Sequence, residues 1–302
     1  MKYAAPQFLI AFALVITLLS AAVNAAVWNI VPSVETSLIF ADNITFQAKG
    51  NEEEELVLQV KPAVRVQSSE GRTQLGLIYG IDNLYYVNDP DRNSSQQLLR
   101  GKGSTILLRD LLFVDATGSI SYQGIKPTSA VNIGTLAISQ DSTQVATWNV
   151  APYFQQTIGG QYMWRAGINL GVVDYKKLLP DSFTREYFFN ASSGPGSQDL
   201  LWEFDMEDTK TYYDDQLSDS RNQSAVLGLR YKFFPEWALT GRIGYVDYEY
   251  EYDPLISNKP KGETWRVGAA WVPSMRTELE LGISKHFSVL QNMGRFFIGV
   301  DG

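Results

Sequence analysis

From Leu56 to Gln67 apolar and polar residues alternate almost without a break. Leu56, Leu58, Val60, Pro62, Val64 and Val66 fall in one phase, and Gln59, Lys61, Arg65 and Gln67 in the other. A strand sends successive side chains to opposite faces, so the pattern predicts a strand with one oily and one wet side. Ser68 to Gly71 reads as a tight turn, after which Leu75, Leu77, Tyr79 and Ile81 continue the oily phase opposite Arg72, Gln74 and Asp82. That is a hairpin. The form recurs with Ala146, Trp148, Val150, Pro152 and Phe154, a turn over 158–161, and then Tyr162, Trp164, Ala166, Ile168 and Leu170 opposite Arg165 and Asn169. Two later hairpins resemble each other. Ala225, Leu227, Leu229, Tyr231 and Phe233 turn at Pro235 into Trp237, Leu239, Gly241, Ile243 and Tyr245. Trp265, Val267, Ala269 and Trp271 turn at Pro273 into Leu279, Leu281 and Ile283.

The links between hairpins are longer and polar: 87–103, 125–143, 176–221 and 253–262. Short turns at one end and long loops at the other predict an up-and-down meander whose ends meet different environments. The reading gives about 12 strands, including an early one over Val31–Phe40 and a weakly patterned pair over Ile106–Gln123 that bends near Asp115–Gly118. The expected fold is all-β, an up-and-down antiparallel transmembrane β-barrel. The strand length, about 10 to 12 residues, suits a tilted membrane strand, which needs about 9 to 11.

A secreted sandwich would show the same alternation, and the aromatics separate the two. Trp164, Phe233, Trp237 and Trp271, with Phe234 and Tyr162, gather near the short turns. Tyr245 and Tyr248, with Tyr85, Tyr86, Tyr175, Tyr250 and Tyr252, gather near the long loops. Two belts are what two water–lipid interfaces select, because an amphipathic ring keeps its body in hydrocarbon and its tip among headgroups. A sandwich core places its largest rings in the middle. The wet phase carries Lys61, Arg65, Arg72, Arg165, Arg230, Lys232, Arg242 and Arg266, together with Asp82, Glu278 and Glu280. These are the candidate lumen-lining residues, and their excess of cations predicts a basic interior.

The chain opens with Met1, Lys2 and Tyr3, the apolar run Phe8–Leu19 and the small-residue site Val23, Asn24 and Ala25. That is the layout of a cleaved signal peptide over 1–25, leaving one barrel domain over 26–302. As an uncleaved helix the run falls short of the roughly 20 residues needed to span. No cysteine is present, so disulfides and thiolate metal sites are excluded, and a formal net charge of −8 argues against nucleic acid. The single histidine, His286, shares a strand phase with Ser284 but has no oriented acid, which points to a polar strand terminus rather than a nucleophilic site. Neither an enzyme nor a cofactor is expected. Acidic groups collect at Glu52–Glu55, at Glu203, Asp205, Glu207 and Asp208, and at Asp214, Asp215 and Asp219. They read as solvated loops without the ligand spacing of a calcium hand, so no metal is expected. Tyr212 and Tyr213 beside them have the rings to stack on sugars, or to pack a loop.

The segments WNIVPSVETSLIFADNITF, LVLQVKPAVRVQ, LLFVDATGSISYQ and VAPYFQQTIGGQYMWRAGINLGVVDY resemble the outer-membrane beta-barrel proteins associated with exosortase and exopolysaccharide (PEP-CTERM) systems, within the beta-barrel porin type 2 group. The resemblance covers most of the mature chain and implies a barrel of the bacterial outer membrane with a role in polysaccharide export. It carries no catalytic residue over. The partners it implies are the lipid bilayer, lipopolysaccharide, polysaccharide and export-system proteins. The expected activity is passive conduction through a basic-lined lumen. The alternatives are a structural or adhesive protein with a plugged barrel, and a secreted carbohydrate-binding sandwich. The last stretch, Phe287–Gly302, alternates only at Phe296, Ile298 and Val300, where relatives are expected to continue with further strands. A truncated form of a larger barrel is therefore expected over an unusual closing strand.

Overall fold

The computed structural model describes residues 27–44, 50–69, 71–124, 142–176, 179–214, 219–250, 261–274, 277–287 and 292–301. The signal-peptide segment, most of the 125–143 link and the 253–260 link lie outside them. Fourteen strands follow one another in a single sheet in chain order. They are β1 (Asn29–Ala41), β2 (Glu55–Ser68), β3 (Thr73–Tyr86), β4 (Ser94–Leu108), β5 (Leu112–Gly124), β6 (Ser142–Ile158) and β7 (Tyr162–Tyr175). Then come β8 (Ser182–Ser193), β9 (Leu200–Tyr213), β10 (Ser220–Phe234), β11 (Trp237–Tyr250), β12 (Lys261–Ser274), β13 (Thr277–Phe287) and β14 (Asn292–Asp301). The fold is all-β and up-and-down antiparallel, of the transmembrane-barrel class. The chain divides into two compact units: Met1–Leu107, Val114–Val150 and Gly171–Asp181 form one, and Leu108–Phe113, Ala151–Leu170 and Ser182–Gly302 the other.

The strand count exceeds the sequence expectation by two, and two further boundaries differ from it. The 176–221 link contains β8 and β9. Most of the 87–103 link is the first half of β4, and the weak pair turns at Arg109–Leu111 rather than at Asp115–Gly118. At that turn Leu111 N–H bonds to Leu108 O at 3.2 Å and Asp110 takes φ +58°, a left-handed position that a short polar side chain tolerates. The final stretch forms β14, paired with β13 from Glu278↔Asp301 to Phe287↔Asn292. The 158–161 turn is as expected. Gly159 and Gly160 have φ +60° and +71°, the two positive values that a tight hairpin turn following the strand twist requires.

In the second unit the register sets one continuous apolar face. Leu229 stands opposite both Gly241 and Trp202, Leu239 opposite Ala269, and Ala269 opposite Leu281. Ile243 is 61% exposed, Val267 56% and Leu281 52%. Large aliphatics this bare on one side of consecutive strands need lipid rather than water as their neighbour. The eight steps from Trp237 to Tyr245 span about 27 Å along the strand. A tilt of about 40° brings that to roughly 20 Å, close to the ~25 Å band of outer-membrane barrels.

In the first unit the same phase carries Leu38 and Phe40, both exposed, and Leu58 opposite Tyr85. There Trp148 lies across Gly118, where an added Cβ would come within 2.5 Å of the indole ring.

Candidate functional site

The polar face of the second unit holds a transverse row of side chains. Ser192 pairs with Glu203, Glu203 with Gly228, Gly228 with Arg242, Arg242 with Arg266, and Arg266 with Ser284. Two arginines thus stand directly opposite each other, an arrangement that repels unless carboxylates flank it. Both flanks supply them. Arg242 Nη2 lies 3.5 Å from Glu203 Oε1 and 3.5 Å from Asp205 Oδ2, and Arg266 Nη2 donates to Glu280 Oε1 at 2.7 Å. Asp205 also accepts from Asn190 Nδ2 at 2.9 Å. Gly228 makes the first flank possible, since a Cβ there would meet Glu203 Cγ at 2.7 Å, in the space through which this carboxylate reaches toward Arg242. The row borders a groove of about 510 Å3 that Arg230, Thr240 and Ser193 also line. Cations, anions and hydroxyls therefore share one groove that suits polar solutes. Among the described residues no three His, Cys, Asp or Glu side chains converge as metal ligands.

The other candidates are placed as follows. Arg230 stands opposite Thr240 and Lys232 opposite Ala238 on the same polar face. Arg165 on β7 lies 3.8 Å over the Tyr153 ring and 5.1 Å from that of Phe188. Glu278 precedes Glu280 by two positions on β13. In the first unit Lys61 meets Asp82 at 3.9 Å and Arg65 stands opposite Ile78. Asp82 is 2% exposed and accepts two bonds from Gln59 Nε2, at 2.8 and 3.0 Å, while Ser37 Oγ donates to Gln59 Oε1 at 3.0 Å. Lys61 and Asp82 also border a groove of about 520 Å3 that Glu35 and Arg100 line with them. Arg72 sits in the turn immediately before β3, where its carbonyl accepts from Ile106 N–H of β4 at 2.9 Å.

The largest correction concerns the acidic run read as loop. Glu203, Asp205, Glu207 and Asp208 lie on β9. Glu203, Asp205 and Glu207 share the polar face, with Glu186 of β8 opposite Thr209 in the same phase. The polar face of this unit therefore mixes both signs. The signal was available: Leu200, Trp202, Phe204 and Met206 alternate strictly with Leu201, Glu203, Asp205 and Glu207. Acidic density masked the period.

The belt residues are placed as follows. Trp237 and Trp271 are cross-strand partners stacked at 5.8 Å, Phe233 and Phe234 meet edge-on at 5.3 Å, and Tyr162 lies 6.4 Å from Trp202, with Trp164 two positions along β7. Tyr245 is 46% exposed on the apolar face. Tyr248 is a correction, because its register opposite Asn222 puts it in the phase of Arg242. Tyr86 is another: it is buried with Val57 and Leu84 in a small apolar cluster.

No protein-family model and no curated protein matches the chain. Among solved structures, the outer membrane channel DcaP of Acinetobacter baumannii is similar at a TM-score of 0.42 and 12% identity, over 92% of this chain and 96% of that one. A loop L8 deletion mutant of OmpT, an outer membrane protein of Vibrio cholerae, gives 0.40 and 11%, over 92% and 99%. OpdK of Pseudomonas aeruginosa, solved with vanillate, gives 0.37 and 11%, over 92% and 97%.

Proposed function

We propose that this chain is a passive outer-membrane channel of porin type that serves envelope or exopolysaccharide export. The observation that carries the channel reading is the row of Glu203, Arg242, Arg266 and Ser284 across one face of strands whose other face is bare aliphatic and aromatic surface. Such strands need lipid on one side and water on the other, and a hydrated interior lets polar solutes follow the charged row. The link to polysaccharide export rests on the sequence resemblance alone. Fractionation followed by single-channel recording of refolded protein tests the proposal. Outer-membrane recovery with resistance to carbonate extraction and discrete conductance steps is expected, and recovery in the soluble periplasm would refute it.

A structural, plugged barrel is the second reading, favoured by one feature. Val57, Leu84 and Tyr86 bury an apolar cluster, with Ile39 and Ile44 against it, in the phase that is otherwise polar in the first unit. Membrane recovery without conductance, before and after removal of the 42–54 loop, would select that reading.

A further inference from the structure

On the polar face of the first unit β3 carries little bulk where its two neighbours carry long side chains. The register puts Gln67 and Lys102 on the flanks of Gly76, Arg65 and Arg100 on those of Ile78, and Ala63 and Leu98 on those of Gly80. An added Cβ at Gly76 would meet nothing within 4 Å, and Ile78 is 41% exposed. β2 and β4 thus form two polar banks along a floor of small or bare residues, and glycine inside a strand marks places where a ligand can approach the backbone. This trough shares Ile78, Gly80 and Arg100 with the groove of about 520 Å3 on the same face.

The two arginines differ from those of the second unit. Arg242 and Arg266 each meet a carboxylate. Among the described residues neither Arg65 nor Arg100 has a hydrogen bond, an ion pair or a ring contact, and both are exposed. Glu35 stands opposite Lys61 and Asp82 meets that lysine at 3.9 Å, four positions along β2 from Arg65, or about 13 Å away. Asp115 of β5 already has a partner. The Cα atoms of Arg65 and Arg100 are two strand spacings apart, about 10 Å, so both guanidiniums can turn in over Ile78. Like charges facing one floor are relieved by an anion set between them, and the planar fork of arginine matches a carboxylate through two parallel bonds. Ile78 gives the centre an apolar surface, while Gln67 and Ser119 add an amide and a hydroxyl beside it. Carboxylates on a frame that offers both hydroxyls and a C–H face describe an acidic sugar.

We infer that this trough is a binding site for an acidic saccharide, whose carboxylates engage Arg65 and Arg100 and whose ring lies over Ile78. The inference rests on the polysaccharide reading for its choice of a saccharide. The site itself requires a hydrated polar face but no conduction, and its test reads binding alone.

Isothermal titration calorimetry of the refolded full chain in detergent, at low ionic strength, compares trigalacturonate with neutral maltotriose. The acidic trimer should bind roughly tenfold more tightly or better, as one charge-assisted contact implies, and added salt should narrow the gap. Arg65→Gln with Arg100→Gln should abolish that preference, whereas Arg109→Gln, in the turn between β4 and β5, should leave it intact. Gly76→Leu keeps the charge but fills the floor, in space where its Cβ meets nothing, so it should weaken the acidic trimer as well. Equal binding of the two trimers by the unaltered chain would overturn the site without requiring any variant to fold. So would an unchanged preference in the double glutamine variant. Complete displacement of the trimer by an equal concentration of inorganic sulfate would show a free-anion site and overturn the saccharide assignment. Conductance without trimer binding would keep the channel reading and overturn the site, while trimer binding without conductance would keep the site and overturn passive conduction.

Discussion

Leu229→Arg places a cation at the middle of the apolar face. On β10 the outward phase runs Ala225, Leu227, Leu229, Tyr231 and Phe233, so Leu229 is two outward positions from either end. It is 47% exposed, and its cross-strand neighbours, Trp202 and Gly241, offer no carboxylate. An arginine at the bilayer midplane of a barrel costs roughly 2 to 4 kcal/mol. That corresponds to a folding equilibrium shifted by about 30- to 900-fold. Val226→Arg is the matched control three positions away. Val226 belongs to the polar phase, opposite Gly244 and Asp205, and Asp205 can accept another charged donor. Its substitution should stay within about 0.5 kcal/mol. Urea titration of protein refolded into liposomes, followed by heat-modifiable gel mobility, measures both. Equal destabilisation by the two would reject the assignment of faces, and a harmless Leu229→Arg would remove lipid from the apolar side.

Gly118→Val should lower stability by about 1 to 3 kcal/mol, because a Cβ there would meet Trp148 at 2.5 Å and the indole must move; the same titration reads it, and an unchanged midpoint would show the ring free to swing away. Gly194→Ala should destabilise the turn region, since its Cβ would come within 2.5 Å of Gly160 O in a contact where Gly194 N–H also bonds to Gln161 O; limited proteolysis near 194–199 should accelerate. Asp82→Ala should cost about 1 to 3 kcal/mol by leaving the Gln59 amide without its acceptor, whereas Asp82→Asn, which keeps an acceptor, should cost less in the same unfolding assay. Replacing Arg230, Arg242 and Arg266 with glutamine should shift the reversal potential in a salt gradient toward cations, most strongly at low ionic strength.

The fold was legible wherever one solvent faced each side of a strand. β2, β10 and β11 alternate cleanly because Val, Leu and Ile meet lipid while Lys, Arg and Thr meet water. The period failed where an outward position is polar for a reason of height. Asp208, Lys210, Gln223 and Arg221 face outward above the apolar band, so the upper half of β9 reads as polar on both sides. β4 is obscured by Gly101 and Gly103, whose missing side chains leave room for Leu77 and Leu75 of the neighbouring strand. The arginines of the site were legible as a phase, but their carboxylate partners were not, because pairing depends on a register that adjacent strands set jointly. Tyr248 shows the limit from the other side. Counted by composition it joins a belt, and counted by parity it shares the face of Arg242.

The ion pairs of the polar face do not hold the sheet together. Arg242 and Glu203 are each 52% exposed along their side chains, and Arg266 with Glu280 are 41% and 30% exposed. Pairs so hydrated contribute about 0 to 1 kcal/mol, less than burial of a single aliphatic side chain. Threonines or serines would satisfy the same strands without setting Arg242 against Arg266. A charged row that brings its own repulsion, then relieves it with Glu203 and Asp205 on one side and Glu280 on the other, fixes the direction of a field across the face rather than the stability of the fold. Its net charge is near balance, so on the proposed channel reading a solute would meet the separation of sign along the row. Removing Glu203 and Glu280 should then alter solute preference as much as removing the arginines, although the two changes move the net charge in opposite directions.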